Sequence, residues 1–121
     1  MRTHKKESDS LLVELAPEET MMLNQIINVP LRGYMLDEYK SSFEKLLSVV
    51  ERVDEKLNSA AEERKGSSIE MTLEGFRSFS EGISLSLRMI GEEEFHTLTG
   101  FDWAEGLKLE GELQSAIAHE I

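Results

Sequence analysis

Residues 36–60, with the sequence LDEYKSSFEKLLSVVERVDEKLNSA, decide the predicted fold. Their apolar members recur at alternating steps of three and four, the a/d spacing of an amphipathic helix. These members are Leu36, Tyr39, Phe43, Leu46, Val50, Val53, Leu57 and Ala60. No glycine or proline interrupts residues 34–65, and Gly66 ends the pattern. The spacing predicts a long central helix over residues 36–64, about 40 Å in length at 1.5 Å per residue.

The sequence before and after Gly66 has similar patterning, which suggests an internal repeat. Shifting the chain by 56 positions places Val13 on Ile69 and Leu23 on Phe79, and most paired positions keep their apolar or acidic character. The alternative is a chance similarity between amphipathic helices. We predict two strand–helix–helix pseudo-repeats, residues 11–66 and 67–121.

Short apolar runs at residues 11–15 and 68–72 predict two strands that pair about a pseudo-twofold axis. The predicted fold class is therefore α+β, mainly helical, with residues 11–121 forming a single domain. The alternative is an all-α bundle in which both apolar runs are extended linkers. Residues 1–10 have no apolar side chain after Met1 and are predicted to be a disordered tail.

The second pseudo-repeat contains a segment with two conflicting patterns. Apolar residues alternate with polar ones over residues 83–89, which suggests a strand, but Phe76, Phe79, Ile83, Leu87 and Ile90 form a helical stripe. The matching positions of the first pseudo-repeat keep the helical phase. We therefore predict a helix over residues 73–90, with Thr72 as its N-cap and Gly91 at its end.

A last helix is predicted to begin at Trp103, because Thr99 and Gly100 break the chain and Asp102 is a good N-cap residue.

The composition restricts the classes of partner. The chain has 121 residues, a formal net charge of −11 and no cysteine. Negative charge repels phosphate, so nucleic acid is not expected as a partner and a basic protein is more natural. The acidity also fits a purely solubilising role. Without cysteine, signal peptide or long apolar run, the chain is expected to be cytoplasmic and without a membrane contact.

The patterns of catalytic and metal sites are poorly matched by this sequence. Glu93 and His96 have the Glu-x-x-His spacing of di-iron bundles, but Lys40 occupies the position equivalent to His96 in the first pseudo-repeat. No glycine elbow or phosphate-binding glycine loop is present, and His4 and His119 lie close to the ends of the sequence. We therefore predict no metal, no cofactor and no catalytic residues, and a protein that is not an enzyme.

An acidic run beside aromatic residues is the candidate partner-binding site. Glu92, Glu93 and Glu94 precede Phe95, and Phe101 follows six residues later. Acidic side chains would attract a basic partner, and one of the two phenylalanines would supply a desolvated contact. A solvated turn is the alternative interpretation of the same acidic run.

The motifs around this run resemble a known group of proteins. Met71-Thr72-Leu73-Glu74, followed by Glu94-Phe95-His96-Thr97-Leu98-Thr99-Gly100, resembles a pattern in small bacterial proteins, some of which resemble toxin immunity proteins. The resemblance covers the second half of the chain, and Gly75 stands where the pattern has a second glutamate. It transfers no site residues.

Two functions are predicted from these observations. The first is a non-enzymatic acidic protein-binding module, an inhibitor or immunity-type protein for a basic partner. The alternative is a homodimeric structural or chaperone-like assembly protein that associates through the helix containing residues 36–60, because the apolar stripe of this helix is long for the second half of the chain to cover.

Overall fold

The computed structural model describes residues 1–7 and 9–120, so that Ser8 of the predicted tail and Ile121 of the second pseudo-repeat lie outside the described residues. Its elements in chain order are β1 (Arg2–Glu7), β2 (Ser10–Leu15), α1 (Pro17–Leu31), α2 (Asp37–Glu44), α3 (Leu47–Glu62), β3 (Ser67–Thr72), α4 (Leu73–Thr99) and α5 (Trp103–Glu120). The predicted class, a mainly helical α+β fold, is confirmed. No helix in the described residues is long and apolar enough to cross a membrane.

The two predicted strands pair with each other in the sheet. β2 and β3 are antiparallel, and Val13 lies opposite Ile69. Alternate residues of both strands are buried, including Leu11, Val13 and Ile69, because helices cover one face of the sheet. The apolar runs therefore form a sheet, which excludes the all-α alternative.

The prediction of a disordered tail over residues 1–10 is wrong for residues 2–7, which form β1. This strand pairs antiparallel with β2, and Arg2 lies opposite Glu14. An edge strand needs backbone hydrogen bonds to one neighbour and no apolar side chains of its own, so the polar residues of β1 carry no strand signal. His4 Nε2 lies 3.4 Å from Glu14 Oε2, an additional contact across the two strands.

The predicted continuous helix over residues 36–64 is divided into α2 and α3. Leu46 N donates to Phe43 O at 2.9 Å, a tight turn between the two helices. α2 packs against α4, and α3 packs against α1, α4 and β3. Phe43 and Leu46 are 0% and 8% exposed, and the turn keeps both in the core. The helix is thus interrupted at Lys45 and Leu46, although this segment contains no helix-breaking residue.

The apolar stripe is nevertheless buried within one chain. Val50, Val53 and Leu57 are between 0% and 4% exposed. Leu36, at the start of the stripe, is 39% exposed and lies outside α2. Most of the surface that suggested self-association is therefore covered by α1 and α4.

The most central helix is α4, which packs against α1, α2, α3, α5, β2 and β3. All residues from 82 to 87 are buried, so this section of α4 is surrounded by protein. Its small residues allow close packing: a Cβ on Gly82 would lie 2.9 Å from Val50 Cγ2. Ser86, which is fully buried, donates its hydroxyl to Gly82 O at 2.7 Å and so satisfies its own polar atom.

The predicted end of the helix at Gly91 is confirmed as a break inside α4. Gly91 has φ 76° and ψ 162°, which are non-helical angles that favour glycine, and the chain then resumes as a second helical segment over residues 92–99. Thr72 caps the start of α4, because its hydroxyl accepts a hydrogen bond from Gly75 N at 2.9 Å.

The helices of the two pseudo-repeats begin at positions that differ by the same shift of 56 residues. α1 and α4 begin at Pro17 and Leu73, and α3 and α5 begin at Leu47 and Trp103, both pairs 56 positions apart. Each pseudo-repeat contains a strand followed by three helical segments rather than two. In the first, the predicted long helix is divided into α2 and α3; in the second, residues 92–99 form an additional helical segment before α5.

Candidate functional site

The acidic run of the predicted site lies on the surface. Glu92, Glu93 and Glu94 are exposed at the start of the second segment of α4, and Phe101 is half-buried against the core. The run is helical rather than a turn. Three exposed carboxylates on one helical segment are consistent with a solvated face as well as with partner binding.

Phe95 is not available as the aromatic anchor of this site, and that prediction is wrong. Its side chain is 0% exposed. It packs edge-to-face on Trp103, with ring centroids 5.3 Å apart, and lies against Gly106 of α5. The sequence places Phe95 next to acidic residues, but the helix turns it to the opposite side, between α4 and α5.

The residues of the di-iron pattern, Glu93 and His96, are both exposed on the second segment of α4. Within residues 1–7 and 9–120, no group of three His, Asp or Glu side chains is arranged to hold a metal ion.

A groove between α1 and α5 brings acidic side chains together over an apolar floor. We call it the α1–α5 groove. It has a volume of about 170 Å³ and is lined by Glu18, Glu19, Met22, Glu105, Lys108, Leu109 and Glu112. Met22 and Leu109 are 6% and 3% exposed and form the floor. The lining therefore contains four carboxylates and one ammonium group, with two buried apolar side chains beneath them.

Two of these carboxylates also bind the ends of their own helices. Glu19 Oε1 accepts from Ala16 N at 2.8 Å at the start of α1. Glu105 Oε1 accepts from Asp102 N at 3.4 Å at the start of α5. Asp102 was predicted to cap α5 with its side chain, but this contact uses its backbone N–H. Glu19 and Glu105 are thus held in place by helix capping, and Glu19 Oε2 is also paired with the N-terminal ammonium group of Met1.

The other two carboxylates of the groove have no such role. The hydrogen bonds and ion pairs of the described residues involve neither Glu18 nor Glu112. Glu18 is exposed on the first turn of α1, and Glu112 is half-buried on α5. Their oxygens are therefore free to accept hydrogen bonds from a cationic group placed in the groove. The sequence carries no local signal for this groove, because Glu18 and Glu112 are distant in the chain and line the same groove only in the folded protein.

A second polar cluster joins α1 to α3. Asp54 Oδ1 accepts hydrogen bonds from Asn24 Nδ2 and Asn28 Nδ2, both at 3.1 Å. Burial of Asp54 raises the pKa of its carboxyl above the ordinary value, against the opposing effect of the two amides and of Arg32. A shifted pKa can mark a catalytic site, but the partners of this carboxylate are amides that neither attack substrates nor transfer protons. We interpret the cluster as a polar contact that sets the position of α3 on α1.

The Asp54 cluster gives a test by paired substitutions. Asp54→Asn keeps an acceptor oxygen and removes the buried charge, so we expect equal or higher stability at pH 7. Asp54→Leu removes the acceptor of Asn24 Nδ2 and leaves Asn28 Nδ2 with Asn24 O alone, and it is expected to cost about 1–3 kcal/mol. Chemical denaturation of the two variants beside the wild type measures both effects. A destabilised Asp54→Asn protein at pH 7 would contradict this account.

The same cluster predicts a pH dependence. Because the folded state raises the pKa of Asp54, it binds the proton more tightly than the unfolded state does. The contribution of Asp54 to stability is therefore lost as the pH rises from the ordinary carboxyl pKa through the raised value. Comparing wild type with Asp54→Asn across this acidic range should show the loss in the wild type alone.

Comparisons of the chain with protein-family models, curated proteins and solved structures found no match. The resemblance to immunity proteins therefore stays a prediction.

Proposed function

We propose that the protein is a non-enzymatic binding module that holds a basic partner protein in the α1–α5 groove. The observation that carries the proposal is the convergence of four carboxylates from two helices over buried Met22 and Leu109. The proposal keeps the sequence-based prediction of an acidic module for a basic partner and moves its site from residues 92–101 to this groove.

The shape and chemistry of the groove favour an arginine or lysine side chain as the inserted group. Such a side chain has an apolar stem and a cationic end. The stem would pack on Met22 and Leu109, and the cationic end would reach Glu18 and Glu112. Charge-assisted hydrogen bonds between a guanidinium or ammonium group and carboxylates are stronger than neutral ones, particularly where water is partly excluded.

The charge of the whole chain supports the same partner. With a formal net charge of −11, the protein attracts cationic surfaces from a distance and increases their rate of association. Affinity needs in addition a desolvated contact, which the floor of the groove provides. An inhibitor or immunity-type role, in a cytoplasmic setting, is the form of this proposal that agrees with the resemblance seen in the second half of the sequence.

The test compares two double charge reversals in affinity capture from the native host. Glu18→Lys with Glu112→Lys changes the groove without removing a helix cap. Glu93→Lys with Glu94→Lys changes the predicted surface site. Each pair replaces two glutamates by lysines, so both shift the formal net charge from −11 to −7. We expect the groove pair to reduce capture of the basic partner by about tenfold or more, and the surface pair to leave it nearly unchanged.

If the surface pair loses capture and the groove pair keeps it, the binding site lies at residues 92–101. If both pairs lose capture equally, net charge alone governs binding. If both variants capture the partner as the wild type does, the acidic side chains are solubilising only. Melting curves of the two variants provide the control for folding.

The homodimeric alternative stays a prediction. Its motivation is weaker in the structure, because the stripe from Phe43 to Leu57 is buried within one chain.

A further inference from the structure

The two edges of the sheet differ in charge. The strand order is β1-β2-β3, so β1 and β3 are the edge strands. β1 carries Arg2, His4, Lys5 and Lys6, and repeated cationic side chains on an edge strand oppose the addition of another strand. β3, with the sequence SSIEMT, has Glu70 as its one charged residue. The edge of β3 is therefore the one with less protection against a further strand.

The free edge of β3 lies beside a groove whose other wall is α3. We call it the β3–α3 groove. It has an open section with a volume of about 600 Å³ and a narrow section of about 40 Å³, and both sections are lined by Lys56 and Ile69. The α3 wall is a single helical stripe that includes Val49, Arg52, Val53, Lys56, Ser59 and Ala60. The open section lies beside Ser67, Ser68 and Ile69, and the narrow section lies beside residues 69–72.

The backbone of β3 supplies hydrogen-bonding groups to this groove. In an antiparallel pair, every second residue directs its N–H and C=O away from the neighbouring strand. β2 pairs with one side of β3, and no other described strand pairs with its second side. A groove between an edge strand and a helix is the geometry in which several domain families bind extended peptides by strand addition.

The charges on the α3 wall indicate the chemistry of the added strand. Arg52 and Lys56 are exposed and one turn apart, and the ion pairs of the described residues involve neither of them. Glu70 is the one acidic residue that lines the narrow section, and its Oε1 accepts a hydrogen bond from Ser10 Oγ of β2 at 3.1 Å. Glu55 and Glu63 line only the open section. Two cations without partners beside the strand edge favour a ligand that carries carboxylates.

We propose that the β3–α3 groove binds an extended acidic segment of a partner protein as a fourth strand beside β3, with carboxylates of the segment at Arg52 and Lys56. A second copy of this chain fits less well. The strand that such a copy would add is its own β3, which carries a single carboxylate, Glu70, for the two cations. This site is separate from the α1–α5 groove and does not depend on the function proposed above.

The test begins with a phage-displayed library of random eight-residue peptides selected on the immobilised protein. The most enriched peptide is then synthesised and titrated into the isotope-labelled protein, with amide hydrogen exchange of β3 as the structural readout. Arg52→Glu with Lys56→Glu is the groove variant. The control variant combines Lys40→Glu and Lys45→Glu and has the same change of charge. Lys40 lies in α2, Lys45 directly follows α2, and both side chains are exposed.

We expect enriched peptides to contain aspartate or glutamate among strand-forming residues and to slow amide exchange in β3. The groove variant should weaken binding about tenfold or more, and the control less than about twofold. Glu18→Lys with Glu112→Lys should bind the peptide as the wild type does, which separates this site from the α1–α5 groove. The proposal would be overturned if no peptide is enriched or if the enriched peptides lack acidic residues. It would also be overturned if the peptide leaves amide exchange in β3 unchanged, or if the groove variant binds the peptide as tightly as the wild type does. Protection of β3 through dimerisation of the free protein would overturn it in favour of a second copy.

Discussion

Val50→Asp is expected to unfold the domain or to lower its melting temperature by roughly 15–20 °C. Val50 is 0% exposed and packs where α3 crosses α4 at Gly82. A carboxylate at this position would be buried without a partner, which costs about 4 kcal/mol or more. That cost is comparable with the total stability of about 5–15 kcal/mol that is usual for a small domain.

The control for Val50→Asp is Ser48→Asp, which places the same carboxylate on the exposed side of α3. We expect this variant to remain within about 0.5 kcal/mol of the wild type. Circular dichroism melts of the two variants measure the difference. A Val50→Asp melt that overlays the wild type would show that the stripe of α3 does not face the core.

Phe95→Ala should destabilise the protein by about 3–5 kcal/mol, because it leaves a cavity between α4 and α5. The side chain is fully buried and makes an edge-to-face contact with Trp103. The substitution also decides between two assignments of Phe95. If this residue were an exposed anchor for a partner, its removal would leave stability unchanged and weaken binding instead. Chemical denaturation of the unbound protein distinguishes the two.

Two glycines of α5 provide a more specific test of the same packing. A Cβ on Gly106 would lie 2.6 Å from Phe95 Cζ, whereas a Cβ on Gly111 would meet nothing within 4 Å. Gly106→Ala should therefore cost about 1–3 kcal/mol by overpacking, and Gly111→Ala should stabilise the helix by about 0.5–1 kcal/mol. The cost of Gly106→Ala should largely disappear when Phe95 is also alanine. Additive effects in this double-mutant cycle would contradict the contact.

The sequence predicted the elements whose signals are local. The stripe from Phe43 to Leu57 identified buried positions correctly, because helical periodicity does not depend on neighbouring elements. The cap at Thr72 and the break at Gly91 were also predicted from single residues. The turn between α2 and α3 was not, since residues 44–47 contain no glycine or proline that would mark it.

The features that depend on packing between elements were missed. β1 has no apolar pattern, because an edge strand is held by the backbone of β2. The central position of α4 was not evident from a segment rich in serine, whose small buried side chains allow other helices to approach. The candidate sites could not be predicted for the same reason. Phe95 is adjacent to the acidic run in the sequence, but its side chain is buried. Glu18 and Glu112 are far apart in the sequence and line one groove only in the folded chain.

The most direct test of the proposed function is chemical-shift mapping of the captured basic partner on the isotope-labelled protein. We expect the perturbed amides to cluster in residues 17–22 of α1 and 105–112 of α5, on both sides of the α1–α5 groove. We also expect the affinity to fall as the salt concentration rises, because screening weakens the attraction between the carboxylates and the partner. Perturbations confined to residues 92–101, or an affinity independent of salt, would contradict the assignment of this groove as the binding site.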